Sequence, residues 1–148
     1  MKKFLAVLLF GLVTITCYAQ NLTIFRSNLG VDETTTKIEE IIAEKGLKFF
    51  ETVHHHEIAT ENGYTIDSTN VILFEDPELT SALISCEQTS ALDLPLKVMV
   101  WEENEDVYIG FIDPAFMRKR FMIQDCPEIL QKMTGLMVRV VNEAIRQR

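Results

Sequence analysis

Three consecutive histidines, His54-His55-His56, are the densest run of ligating side chains in the sequence. Alternate residues of a strand share a face. His54 and His56 could therefore grip one metal ion while His55 points away. Glu57 could add an oxygen ligand, and two nitrogens with one oxygen suit zinc or copper. The plain alternative is a strand end with exposed histidines, one of them hydrogen-bonded for structural reasons.

Lys97 is the next residue that could do chemistry. It follows the rigid Pro95 and opens an apolar stretch that reads as a buried strand. A lone buried ammonium is costly, so the lysine must pair, lie at an edge or face a cavity. A desolvated lysine has a lowered pKa and can serve as base or nucleophile, here with Asp93 or a histidine assisting. The competing expectation is a structural ion pair with Asp93 or Asp113. Trp101, at the far end of the same stretch, suits a core, a dimer interface or a stacking contact with a ligand.

Other groups carry weaker signals. Cys86 and Cys126 could form a disulfide, worth about 4 kcal/mol in the loop-entropy model. Against this, Cys86 is spaced helically with Leu79, Ala82 and Leu83, as a buried apolar thiol would be. The pair is not a C-x-x-C motif. Asp76-Pro77 and Asp113-Pro114 each look like the start of a helix, with Asp as the cap and Pro in the first turn. Such a terminus can bind an anion, but here an Asp already occupies it. Glu102, Glu103, Glu105 and Asp106 crowd one turn without the spacing of a calcium loop. Arg118-Lys119-Arg120 is the one basic cluster of an acidic chain and could receive an acidic partner. No nucleophile elbow, metalloprotease motif, phosphate-binding loop or dinucleotide fingerprint occurs.

The segment Leu92-Asp93-Leu94-Pro95-Leu96-Lys97-Val98-Met99-Val100-Trp101, followed by Asp113-Pro114, resembles the signature of the bacterial domain of unknown function 302. Phe74-Glu75-Asp76-Pro77, with Thr80 and Leu83, resembles that family's strand-then-helix segment. Thr35 or Thr36, Ile38 and Lys45-Gly46-Leu47 resemble its first helix and exit. One of the three histidines, with Ala59 and Gly63, resembles its His-Ala…Gly segment. The resemblance runs from Leu22 to Ile145. It departs at Phe111, where the family often has Tyr, and at Glu75-Asp76, which stands for Gly-Asn. Any role resting on that phenol hydroxyl would be absent here. The resemblance implies a small dimeric α+β domain and brings no settled activity.

The N-terminus reads as an export signal. Lys2 and Lys3 precede an apolar run from Phe4 to Val13, and Cys17-Tyr18-Ala19 offers small residues for cleavage after Ala19. A lipoprotein anchored at Cys17 is the lesser alternative, because Thr16 is large for the preceding position. The apolar run is shorter than the roughly 20 residues a membrane span requires. The expected organisation is therefore residues 1–19 as signal peptide and residues 20–148 as one domain, in the periplasm or secreted. The chain has 14 Lys and Arg against 22 Asp and Glu, and losing Lys2 and Lys3 takes its net charge from −8 to −10. Such a surface repels nucleic acid and anionic lipid.

The expected elements are a strand from Leu22 to Arg26, a helix from Asp32 to Glu44 and a strand from Leu47 to His54. A short helix from Glu57 to Asn62 and a strand from Val71 to Phe74, buried on both faces, come next. A helix opens at Asp76-Pro77. A hairpin joins Leu96–Trp101 to Val107–Ile112. A last long helix carries the stripe Ile129, Met133, Met137, Val140 and Ala144, with Asp125-x-x-Glu128 as its capping box. Gly135, in its middle, suggests a close packing contact. The fold class is α+β: one compact domain, a mainly antiparallel sheet packed with helices, and a long C-terminal helix.

The leading functional expectation is an exported, non-catalytic homodimer that binds a small ligand or an envelope protein near His56, Asp93, Lys97, Trp101 and Asp113. One alternative is an enzyme using Lys97 as base or nucleophile. Another is a metal or redox accessory protein using His54, His56 and the two cysteines. The sequence names no cofactor.

Overall fold

The structure, a computed structural model, describes residues 21–146. The expected export signal, its cleavage after Ala19 and the anchor alternative at Cys17 lie outside those residues.

Strand alternation builds the sheet. Its five strands are β1 (Leu22–Ser27), β2 (Lys48–His54), β3 (Thr69–Glu75), β4 (Leu96–Glu103) and β5 (Asp106–Ile112). They lie in the order β1-β5-β4-β3-β2, and every neighbouring pair is antiparallel. Period two gives each strand a core face and an opposite face. In β3, Asn70, Ile72 and Phe74 are fully buried while Val71 and Leu73 are half-buried. The expectation that this strand is buried on both faces is therefore corrected: its apolar run reflects a second face that is only partly covered. β4 and β5 join through Asn104 and Glu105, at φ 54° and 67°. Two such residues give the turn whose twist matches a hairpin.

Helices cover the core face. They are α1 (Val31–Glu44), α2 (His55–Glu61), α3 (Pro77–Cys86), α4 (Met117–Arg120) and α5 (Pro127–Arg146). Ile38, Ile41 and Ile42 of α1, Leu83 of α3, and Met133, Met137, Val140 and Ala144 of α5 join Ile72, Phe74, Val98, Val100 and Ile109 in one core. Burying each of these side chains larger than alanine contributes about 1.5–3 kcal/mol. Lys45, just after α1, pairs with Glu143 of α5 at 2.6 Å.

Local chemistry explains the start of α3. Asp76 Oδ1 accepts from the backbone N–H of Glu78 and Leu79 at 3.0 and 3.1 Å, and Pro77 is the first residue of α3. The other expected cap, at α5, is corrected. The helix begins at Pro127, and Cys126 before it has φ 59°. Asp125 is thus displaced from the capping position, and no box forms with Glu128. Gly135 marks no close interhelix contact either: the nearest atom to an added Cβ is Arg139 Nη1 of the same helix, at 3.3 Å.

Candidate functional site

The site is built where β4 begins and β5 ends. A 3₁₀ turn (Gln88–Asp93) delivers the chain through Leu94 and Pro95 into β4. Lys97 Nζ donates to the carbonyls of Asp93 at 3.1 Å and Pro95 at 2.8 Å. Two of its three donors are thus spent on neutral acceptors. Desolvation lowers the lysine's pKa, and the charge of Asp93 partly opposes this. The carboxylate of Asp93 turns instead to Arg120, whose Nε lies 3.3 Å from Oδ2. The expected ion pair of Lys97 with Asp93 or Asp113 is corrected accordingly.

Asp113 closes β5. Its Oδ1 accepts from the N–H of Ala115 at 2.9 Å and from the hydroxyl of Thr134 in α5. This bond fixes a second 3₁₀ turn (Pro114–Phe116) and the α4 that follows it. α4 carries Arg118, Lys119 and Arg120, all exposed. The basic run is divided: Arg120 reaches Asp93, while Arg118 and Lys119 line a wide, shallow depression beside Met122.

Between these elements lies a half-open cleft of about 580 Å³, within the range of small-molecule sites. Lys97, Asp93, Asp113 and Arg120 supply its charged groups. Leu22, Met99, Ile112, Phe116 and Met117 make its walls mainly apolar. Phe111 touches it as well, but its ring is buried in the core and stacks on Phe25 with centroids 6.4 Å apart.

Two expected site residues lie outside the cleft lining. Trp101 stands beside it, stacked on Tyr108 with ring centroids 5.5 Å apart. The indole covers Gly110, which does line the cleft: a Cβ there would stand 2.9 Å from Trp101 Cζ3. The histidines are farther away. β2 ends at His54 and α2 starts at His55, so His54 and His56 do not share a strand face as expected. Their rings still meet edge-on, with centroids 6.1 Å apart. His54 pairs across the sheet with Asn70, which pairs with Val100; Lys97 pairs with Leu73. The three residues from Asn70 to Leu73 span about 10 Å, and Lys97 is on the opposite face. The expected grouping of His56 with Lys97 is not what the fold builds.

His54 belongs to a different cluster. Its Nδ1 is 2.9 Å from Asn70 Oδ1, and Asn70 Nδ2 donates to Thr35 Oγ1 at 3.1 Å. With the amide nitrogen turned to Thr35, the amide oxygen faces His54 and accepts from Nδ1. His56 makes only long contacts with the backbone of Thr69, at 3.4 and 3.5 Å. Among the described residues, no three His, Cys, Asp or Glu side chains are grouped to hold a metal ion. Cys86 and Cys126 stand at bonding distance, S–S 1.99 Å. Cys86 is exposed at the end of α3, which excludes the buried-thiol alternative.

Sequence reasoning missed Arg120 as a cleft residue, and missed Asn70 altogether. The signal for Asn70 was present: it stands two residues before Ile72 and four before Phe74, on the strand's core face.

The model of the family "Domain of unknown function DUF302" matches residues 23–143. The chain belongs to this family. A DUF302 protein of known structure, an uncharacterized conserved protein from Bacillus stearothermophilus, shares the fold with TM-score 0.79 at 17% identity. That likeness covers 85% of this chain and 99% of the other. Curated relatives are of another kind. The fluoride-specific ion channel FluC 1 of Brucella suis biovar 1 is 30% identical over 95 residues, 64% of this chain but 37% of the channel protein. FluC 1 of Brucella abortus biovar 1 shows 30% identity over 95 residues, 35% of its length. The DUF302 chain thus spans little more than a third of these relatives. No helix of its described residues is long and apolar enough to cross a membrane.

Proposed function

We propose that this DUF302 protein is an exported, non-catalytic homodimer that binds a small ligand in the Lys97 cleft. The observation that carries the reading is the cleft itself: apolar walls, with Lys97 placed at its rim and bonded to carbonyls only. Ligand sites combine such walls with a few placed polar groups. The pairing of Cys86 with Cys126 supports an oxidising compartment. The face of the sheet opposite the helices supports a dimer. Ile24 is 50% and Ile112 67% exposed there, beside half-buried Met99, Trp101, Val71 and Leu73. Native mass spectrometry of untagged protein from the cell envelope tests the whole reading. A dimer that retains a small molecule is expected. A monomer of the full chain, uncleaved and without added mass, would overturn it.

A second reading draws on the Brucella channels. In those proteins a segment similar to this chain is part of a longer, fluoride-specific channel. As the matched chain has no membrane-crossing helix among its described residues, the similarity suits a part lying outside the bilayer. On this reading the protein is an accessory domain to a membrane channel for a small anion. Deleting its gene should then sensitise cells to fluoride but not to chloride. Equal growth of the deletion and parent strains in fluoride would reject it.

A further inference from the structure

We infer that the Lys97 cleft takes an amphipathic monocarboxylate, its head at Lys97 and Arg120 and its alkyl or aryl body against the apolar walls. The inference rests on the ligand-binding reading above and narrows it to a class of ligand.

The charges decide the head group. Four charged side chains meet at the cleft, and the two carboxylates already have partners within the fold. Asp93 is paired with Arg120 at 3.3 Å. Asp113 accepts from Ala115 N–H and the Thr134 hydroxyl. Arg120 spends its Nε on Asp93 but keeps the rest of its guanidinium fork. Lys97 differs. Its bonds go to the carbonyls of Asp93 and Pro95, so no carboxylate touches its ammonium, and one N–H remains. The lysine's lowered pKa reports the same partly desolvated position. A ligand carboxylate would supply the missing counter-ion through a charge-assisted bond. An ammonium ligand would be drawn to Asp113, whose bonds go to neutral donors, but would be repelled by both Lys97 and Arg120.

The walls decide the body. Leu22, Met99, Ile112, Phe116 and Met117 offer no side-chain hydrogen-bond donors. Phe116 and Met117 come from the turn fixed by Asp113, so one residue orders both the rim and a wall. The volume of about 580 Å³ holds a medium-length chain or a single ring system.

Calorimetric titration of the mature protein with hexanoate, octanoate, decanoate and the matching 1-alkanols, all below their micellar concentrations, tests the inference. Affinity is expected to rise about fourfold per methylene until the cleft is filled. Each acid should bind about two- to fivefold tighter than its alcohol, the effect of a charge at a solvent-screened rim. Lys97→Met should reduce that preference, leaving Arg120 alone to hold the head, and keep the dependence on chain length, whereas Lys97→Arg should keep both. Phe116→Asp should weaken every member of the series. Alcohols binding as tightly as acids would overturn the carboxylate class and leave the cleft as a binding site. If neither series binds, the inference falls and so does the ligand-binding reading of this cleft. Matching 1-alkylamines binding more tightly than the acids would show that Asp93 and Asp113 set the specificity, and would also overturn it.

Discussion

Lys97 illustrates how a charged residue becomes informative only when its partners are known. Its ammonium is held by two carbonyls, and desolvation sets its pKa below the ordinary 10.5. The fold therefore disfavours the protonated form. That penalty applies at every pH below the folded-state pKa, and it is relieved as pH rises from there towards 10.5. The neutral amine is the nucleophile, so Lys97 should react early. With a limiting acylating reagent at mildly alkaline pH, peptide mass spectrometry should find Lys97 modified before Lys45, which is ion-paired to Glu143. Equal or slower labelling of Lys97 would mean that the desolvation is not felt. Gly110 makes a second prediction at the same scale. A methyl group there would lie 2.9 and 3.1 Å from Trp101 ring atoms and 3.3 Å from Leu22 Cδ1. Gly110→Ala should cost about 1–3 kcal/mol through overpacking. It should also shift the emission of the one tryptophan in the chain, as the indole is forced off the sheet. Unchanged urea melts and emission would show that the indole has room to move.

Elements were legible where their signals are local. Asp76-Pro77 opens α3 as its residue types require, and the hairpin and the stripe of α5 follow from period two and from helical spacing. Errors arose where tertiary contacts overrode a local pattern. The strand ends at His54 as expected, but the shared face assumed for His54 and His56 needs strand through His56; instead α2 starts at His55 and the His54 ring bonds Asn70. Asp125-x-x-Glu128 has the spacing of a capping box, but the helix starts later, after a cysteine tied to α3. The cleft was legible only at Asp93, Lys97 and Asp113, where prolines mark the strand ends. Its walls come from β1, β4, β5 and the turn into α4, segments whose proximity no local spacing encodes. The disulfide belongs to this scale as well, since it joins the end of α3 to the residue before α5, 40 positions apart. Removing it with Cys86→Ser and Cys126→Ser should lower stability by about 3–4 kcal/mol through the unfolded state. Urea denaturation of the double variant against oxidised wild type measures this; coincident midpoints would refute it.

For the whole molecule, the balance of charge and apolar area constrains how two copies could meet. The chain carries a net charge of −8, so copies repel one another at low ionic strength. An association held by surface ion pairs would weaken with salt; one held by an apolar face should strengthen as the repulsion is screened. The open face of the sheet is five strands wide. At about 4.8 Å per strand and about 20 Å of strand length it spans roughly 480 Å² in plan. Side-chain relief brings this towards the roughly 800 Å² per partner of a stable interface. The same face adjoins the cleft through Leu22, Met99 and Ile112, so a second copy laid across it would shield the cleft's open side. Sedimentation equilibrium should therefore show the dimer tightening between low and moderate salt. Ile112→Glu, which adds like charge to both copies at an exposed position of that face, should leave a folded monomer. A dimer that loosens with salt, or that persists in Ile112→Glu, would place the contact elsewhere, with the strand edges at β1 and β2 the next surfaces to test.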